Sequence, residues 1–403
     1  MSSTSVPFPS ESKSSSAASA IAKMLRANIQ TYTLIGATIL IWAYFYYKTD
    51  GRFLTPQNFS NLFRQMTVTA FLSVGMVLVI VTGNIDLSVG KLAGFVSVVV
   101  AYYQANHLTQ AFDSQFVVAS LSVLIGLGVG LVIGIIQGYI IAYLRVTAFI
   151  VTLGSMWLLN GAILLVTKGK TIPANQPTFS EIAQGYLSAN VGWILAGVTV
   201  VFLFYAMLRN RQKKQRYNFQ LPPLGIDILK TAFFAALVLG YVYLVNQYKG
   251  MQNPVLLLMI VVVVVAYLSN NTRFGRYAYA IGGNRDAAKL SGINIRRNIF
   301  AIFVLMGFLC GVSGVTLASY VGYGTISAGQ GYELDAIAAC ILGGTSTLGG
   351  EGTVFGAIVG ALIMTSLSNG LQMTNTDAAY QYVLKGIVLV IAVYADVRLK
   401  RSR

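Results

Sequence analysis

Charge is scarce in this chain. Of its 403 residues only 10% are Asp, Glu, Lys or Arg, against about 25% in an ordinary soluble domain, while 56% are hydrophobic. A water-soluble globule is excluded. Cysteine is almost absent: Cys310 and Cys340 both sit in apolar stretches, which removes an extracytoplasmic disulfide framework and leaves ordinary small-residue packing. The single histidine, His107, lies in a short polar stretch with no cysteine near it, so neither a metal site nor histidine acid catalysis has support. Proline is sparse too, at 8 residues against 40 glycines, and the apolar runs are left to continue as helices.

Those runs are what the chain has in abundance. Apolar stretches separated by polar breaks fall near 31–47, 66–83, 89–103, 116–143, 148–166, 191–208, 228–248, 254–269, 298–320, 336–348, 353–371 and 381–396. Many approach the roughly 20 residues that cross a bilayer as helix. The expected fold is therefore an all-α polytopic membrane protein with about 10–12 transmembrane or half-membrane helices, the short runs serving as half-helices or re-entrant turns. The first run, Thr31–Tyr47, ends in bulky Tyr44–Tyr47 with no small-residue cleavage site, so it reads as a retained helix and not a signal peptide. Three regions follow: a Ser/Ala-rich tail over 1–30, a transmembrane domain over 31–397 with a long polar loop at 270–297, and a basic tail over 398–403.

The net charge of +16 raises nucleic acid as a partner, but the cations lie in loops between apolar spans, which marks topology instead. Placing both termini in the cytoplasm puts 20 of the 28 Lys and Arg there, including the block Arg209, Arg211, Lys213, Lys214 and Arg216. A weak internal similarity links Gly130-Leu-Val-Ile-Gly-Ile-Ile and the 148–166 run to Gly356-Ala-Ile-Val-Gly-Ala-Leu and the 381–396 run. In this topology the two pairs run in opposite directions, as inverted repeats do, although shared glycine-rich composition gives the same pattern.

Four features are candidates for function. Thr82-Gly83-Asn84-Ile85-Asp86-Leu87-Ser88-Val89-Gly90-Lys91 interrupts two apolar runs with an amide, a carboxylate and glycines. Such backbone cannot face lipid; it lines a path, or else Asp86 and Ser88 simply cap the next helix. The spacing around Gly90-Lys91 fails as a P-loop, since position 85 is Ile and position 92 is Leu. In the segment Ser269–Arg297, Asn284 can start and Gly292 can end a helix of about two turns that carries Arg285, Asp286, Ala287, Ala288, Lys289, Leu290 and Ser291. A helix so short needs a partner surface, and an ordinary basic loop touching lipid headgroups is the alternative.

Glu333 and Asp335, two residues apart at the edge of a span, stand where carboxylates favour a helix N-terminus, with no nucleophile or metal partner beside them. Finally, the amides Gln137, Asn160, Asn369 and Gln381 within apolar runs can face a hydrophilic route or hold helices together.

Three of these stretches, taken in order, carry a family resemblance. Gly83-Asn-Ile-Asp-Leu-Ser-Val-Gly90, then Ile281-Gly-Gly-Asn284 with Ala287-Ala-Lys-Leu-Ser-Gly-Ile293, then Glu333-Leu-Asp-Ala-Ile-Ala-Ala339 with Gly343-Gly-Thr-Ser346 resemble the permease subunits of bacterial monosaccharide ABC importers. The likeness spans essentially 30–400, and the extra apolar pair near 191–248 is similar to the longer D-xylose type. The resemblance implies a homodimeric, multi-pass channel in the bacterial inner membrane, in contact with membrane lipid and not with nucleic acid. It also implies a cytoplasmic ABC ATPase that holds ATP and Mg, with no cofactor or metal on this chain, and a periplasmic sugar-binding protein that selects the sugar.

On the same resemblance the helix 284–292 is the coupling helix to the ATPase, and transport proceeds by ATP-driven alternating access without covalent chemistry. Asp286 departs from the family's Glu before the alanine pair and has a shorter reach. Asn84, Asp86, Ser88, Gln137, Asn160, Glu333, Asp335 and Asn369 are the expected lining of the path. The rival reading is an ion-coupled secondary transporter with Asp86 as the ion-linked carboxylate. An integral-membrane enzyme lacks clustered His, Cys or acidic residues. The stretch 167–190, with Pro173 and Pro177, either contacts the binding protein or merely connects spans.

Overall fold

The computed structural model describes residues 29–217, 219, 221 and 223–401, with side chains from Leu34 to Tyr394 within them. The tail expected over 1–30 lies outside the described residues except for its last two positions, as do the final two positions of the tail 398–403.

Helix α1 (Ile29–Lys48) leads to α2 (Pro56–Val81), which begins ten residues before the apolar run does. The cause is local. Thr55 caps it by accepting the Asn58 N–H at 3.4 Å, and Pro56 fits the first helical position, where no N–H is needed. The polar residues of this added stretch find partners: Asn58 donates to the Asn369 side chain at 2.9 Å and to the Phe53 carbonyl at 2.8 Å. Beyond them α2 is apolar on every face and buried on every face, the centre of the bundle.

Next come α3 (Val89–Tyr103), α4 (Gln115–Ala142) and α5 (Ala148–Thr167). A five-residue π-helical stretch, Gln104–Leu108, extends α3 and places His107 against the rings of Tyr102 and Tyr103. The stretch after α5 is not a simple connector. It pairs strand β1 (Ile172–Pro173) and folds helix α6 (Pro177–Gln184), whose Phe179 is fully buried. Strand β2 (Tyr186–Leu187) follows, then the long hairpin α7 (Ala189–Arg216) and α8 (Leu224–Asn246). That hairpin is largely exposed and holds to the bundle through Tyr241, which donates to the Gln252 side chain at 2.7 Å and packs on Phe59 and Phe63.

Strand β3 (Met251–Gln252) pairs antiparallel with β2 and opens α9 (Asn253–Asn271). The segment 270–297 contains the short helix expected after Asn284, α11 (Arg285–Leu290), and before it a further helix that was not expected, α10 (Arg273–Gly283). Then α12 (Ile295–Val321) runs to Gly322, whose left-handed backbone stops it, and β4 (Tyr323–Gly324) pairs with β1. Serine 319 near that end holds α6: Ser319 Oγ donates to the Phe179 carbonyl at 2.8 Å and accepts the Ala183 N–H at 3.0 Å. The chain closes with α13 (Tyr332–Leu342), α14 (Val354–Met373) and α15 (Ala378–Arg401). The run expected at 336–348 is displaced toward 332 because Gly343 and the left-handed Gly344 end α13 early.

Eight of the helices among the described residues are long and apolar enough to cross a membrane. The most extensive helix pair is α4 with α12, antiparallel, where Gly130 and Gly134 face Gly307 and Gly311 with nothing between the backbones. A Cβ on Gly130 would sit 2.7 Å from the Gly311 nitrogen, so this approach requires glycine. Arg145, the end of α7 and all of 273–297 gather at one end of the bundle, called the basic end below.

Candidate functional site

Residues 82–88 leave the basic end and run back into the bundle as irregular chain. At its outer edge the Val81 carbonyl accepts the Gly350 N–H at 2.8 Å, Gly83 turns with φ +76°, and Asn84 donates to the Thr82 hydroxyl at 3.0 Å. At its inner end Asp86, 1% exposed, accepts both the Ser88 N–H at 2.8 Å and the Ser88 hydroxyl at 2.6 Å. Gln137 of α4 donates to the same hydroxyl at 2.9 Å. Asp86, Ser88 and Gln137 are thus one hydrogen-bonded chain tying the break to α4. The capping alternative is corrected: Ser88 occupies the cap position of α3, yet neither it nor Asp86 accepts from the first turn of that helix. From this inner start α3 runs 15 residues and continues through the π-helical stretch as one helical run to Ala111.

A second irregular segment, 322–331, approaches from the opposite end along α3. Gly324 lies against Val98 and Gly329 against Gly94 and Gly90, so the segment descends α3 and releases α13 beside the start of α3. Two helices therefore begin next to each other, and their positive N-terminal ends share one neighbourhood. The carboxylates expected there are present. Glu333, half-buried, reaches Gly90 and feels the Lys91 charge, and its Oε2 has no hydrogen-bond partner among the described residues. Asp335 accepts from Lys385 of α15 at 2.8 Å, while its other oxygen is buried without a partner among the described residues.

The Asp335–Lys385 pair joins α13 to α15, with side-chain exposures of 7% and 24%. Removing one member of a buried pair leaves the other charge uncompensated. We expect Lys385→Met to lower the stability of the detergent-purified protein by about 2–3 kcal/mol, discounted for the partly exposed lysine. The double variant Lys385→Met/Asp335→Leu recovers most of that loss. Thermal unfolding of the two variants checks this, and equal destabilisation of both would contradict it.

The remaining expected residues are not gathered here. Asn369 belongs to a separate amide cluster toward the opposite end, where it donates to Gln65 at 3.1 Å and accepts from Asn58. Asn160, half-buried on the largely exposed α5, makes no hydrogen bond to a described residue through its side chain and joins neither break. Gln381 donates to the Thr376 carbonyl at 2.9 Å, closing the turn before α15. Thr152 and Lys385 were not singled out in the sequence. Thr152 touches the break through the Ile85 carbonyl at 3.4 Å. The available signal for Lys385 was a lone cation inside an apolar run, which by itself marks a paired or functional charge.

At the basic end, α11 is built as its sequence dictates. The Asn284 side chain accepts the Ala287 N–H at 2.9 Å, Ser291 donates to the Ala287 carbonyl at 2.9 Å, and Gly292 exits with φ +78°. Ala288 anchors the helix inward, while Ala287 is exposed and Leu290 is 89% exposed. Gly282, just before it, packs so closely on the Val81 carbonyl that no Cβ fits, which fastens α10 to the outer edge of the first break. The outward helix and the interrupted core are thereby mechanically joined.

A family model described as the permease component of branched-chain amino acid transport systems matches residues 58–393. The chain belongs to this permease family. The permease is 40% identical over 381 residues to the xylose transport system permease protein XylH of Haemophilus influenzae, covering 94% of this chain and 99% of the relative. It is 39% identical over 374 residues to XylH of Escherichia coli K12, with 93% of each chain covered. The ribose import permease protein RbsC of the same strain is 33% identical over 347 residues, covering 85% of the permease and 87% of the relative. No solved structure matches.

Proposed function

We propose that the permease is the membrane subunit of an ABC importer that moves a monosaccharide, D-xylose or a close relative, into the cytoplasm. One observation carries this reading: 40% identity to a xylose transport permease that runs through 94% of this chain and 99% of the relative, so the shared part is the whole transport body. On this reading the basic end is cytoplasmic, as the excess of Lys and Arg there favours. The exposed face of α11 meets a cytoplasmic ATPase that holds ATP and Mg, and a second copy of the permease completes the channel. A periplasmic binding protein delivers the sugar to the opposite end, on which α6 and the two short strand pairs lie.

The chemistry assigned to this chain is conformational. Two helices that begin inside the bundle, each preceded by irregular chain, form a joint that can tilt without breaking a continuous helical ladder. The ion-coupled alternative built on Asp86 is less favoured, because that residue is 1% exposed and its Oδ1 is held by the N–H and the hydroxyl of its own neighbour Ser88.

Expression of the permease with its companion ATPase and binding protein in a bacterium deleted for its own xylose permease tests the assignment. Labelled D-xylose uptake should return, with D-ribose taken up at least about tenfold more slowly. Absence of uptake for both pentoses, with the protein present in the membrane, contradicts it.

A further inference from the structure

Between α11 and the turn that joins α4 to α5 lies an open cleft of 790 Å³. Its walls come from three stretches distant in sequence: Gly83 and Asn84 of the first break, residues 141–148, and residues 285–299. Four cations converge on it, Arg145, Arg285, Lys289 and Arg296, against the single carboxylate Asp286. None of the four makes an ion pair with a described residue. The floor is aliphatic, with Ile141 and Ile299 among the lining residues.

We propose that this cleft binds a soluble phosphorylated small molecule of the cytosol, of the size range from a sugar phosphate to a nucleotide. The volume falls within the range of small-molecule pockets, about 300–1,000 Å³. The excess of three positive charges in a concave site suits a phosphate dianion, which guanidinium groups grip through paired N–H donors. The cleft adjoins the face assigned to the ATPase. At 100° per residue, Arg285 and Lys289 lie about 40° apart on the side of α11 that lines the cleft, Ala287 and Leu290 lie about 100° or more from both, and Asp286 stands between the two groups.

A bound phosphate ester would bridge the coupling helix and the first break, which are joined to each other, to the α4–α5 turn, and would resist movement of the one unit against the other during transport. Occupancy therefore holds them in one arrangement and slows the cycle. The cytosolic source of the ligand rests on the orientation given above; the existence of the site does not.

Equilibrium dialysis of the purified full-length chain in detergent against D-xylulose 5-phosphate, inorganic phosphate and ATP tests this. Saturable binding of at least one of the three at or below about 1 mM is expected. The variant Arg145→Gln/Arg296→Gln should weaken it by about tenfold or more, Arg145→Lys/Arg296→Lys should retain most of it, and Arg209→Gln/Lys214→Gln should leave it unchanged. No saturable binding below about 10 mM overturns the proposal, as does equal loss in both glutamine variants, which would mean diffuse attraction to charge. Displacement of the probe by added anionic phospholipid would assign the cleft to a lipid headgroup, and displacement by the ATPase would assign it to that protein; either result also overturns it.

Discussion

Gly90→Val is expected to leave almost no folded protein. The first turn of α3 lies directly on the segment that releases α13, and a Cβ at position 90 would stand 2.7 Å from the Gly329 carbonyl and 2.8 Å from the Glu333 nitrogen, besides striking the Glu333 carboxylate. Two of these are backbone atoms, which cannot swing aside as a side-chain tip can. The two helix starts would have to separate, exposing Glu333 and the irregular chain before α13 to the apolar interior. Overpacking alone costs about 1–3 kcal/mol, and the forced backbone shift adds to it. Gly128→Val is the matched control: Gly128 lies in α4, and nothing stands within 4 Å of where its Cβ would be. Size-exclusion profiles of the detergent-extracted proteins should show an aggregated Gly90 variant and a monodisperse Gly128 variant. A well-folded Gly90→Val protein with unchanged melting would mean that the two helix starts do not meet as described.

Leu290→Asp should abolish uptake without harming the fold. Leu290 is 89% exposed at the tip of α11 and contributes nothing to the core, so the stability change should stay within about 0.5 kcal/mol. If α11 is the peg that an ATPase grips, the leucine is its largest apolar group. Burying it against a partner is worth about 2 kcal/mol, and an aspartate there adds an uncompensated charge, so uptake should fall by about 50-fold or more. Labelled xylose uptake, read beside the membrane level and melting point of the variant, separates the two effects. Uptake close to that of the unaltered protein would remove α11 from the coupling role.

The legible parts of this fold are those fixed by short stretches of chain. The bounds of α3 and the break before it could be read because one local pattern, apolar run interrupted by Asn84, Asp86 and glycines, determines both. Helix α11 could be read because its cap and its exit lie within nine residues of each other, at Asn284 and Gly292. The start of α2 was missed for the opposite reason. Asn58, Arg64 and Gln65 look too polar for a span, and the Asn369 side chain that bonds both amides among them lies some 300 residues away.

The same distance hid the partner of Asp335, which is 50 residues on at Lys385. It also hid the meeting of Gly90 with Glu333, which places two motifs read separately in a single neighbourhood. Asn369 and Asn160 were grouped with the path because an amide in an apolar run looks the same whether it lines a cavity or joins two helices. The hydrogen bonds of Asn369 join α14 to α2. The stretch after α5 looked like a loop because Phe179 and Ser319, which make it a packed cover, are recognisable only once the chain has brought them together.

The most direct measurement places the purified permease in sealed liposomes with its ATPase and binding protein and follows labelled D-xylose. The account predicts accumulation against the gradient only when ATP is supplied on the side of α11, with no change when a protonophore collapses the pH difference. Accumulation by the permease alone, driven by an imposed proton or sodium gradient without ATP, would contradict it.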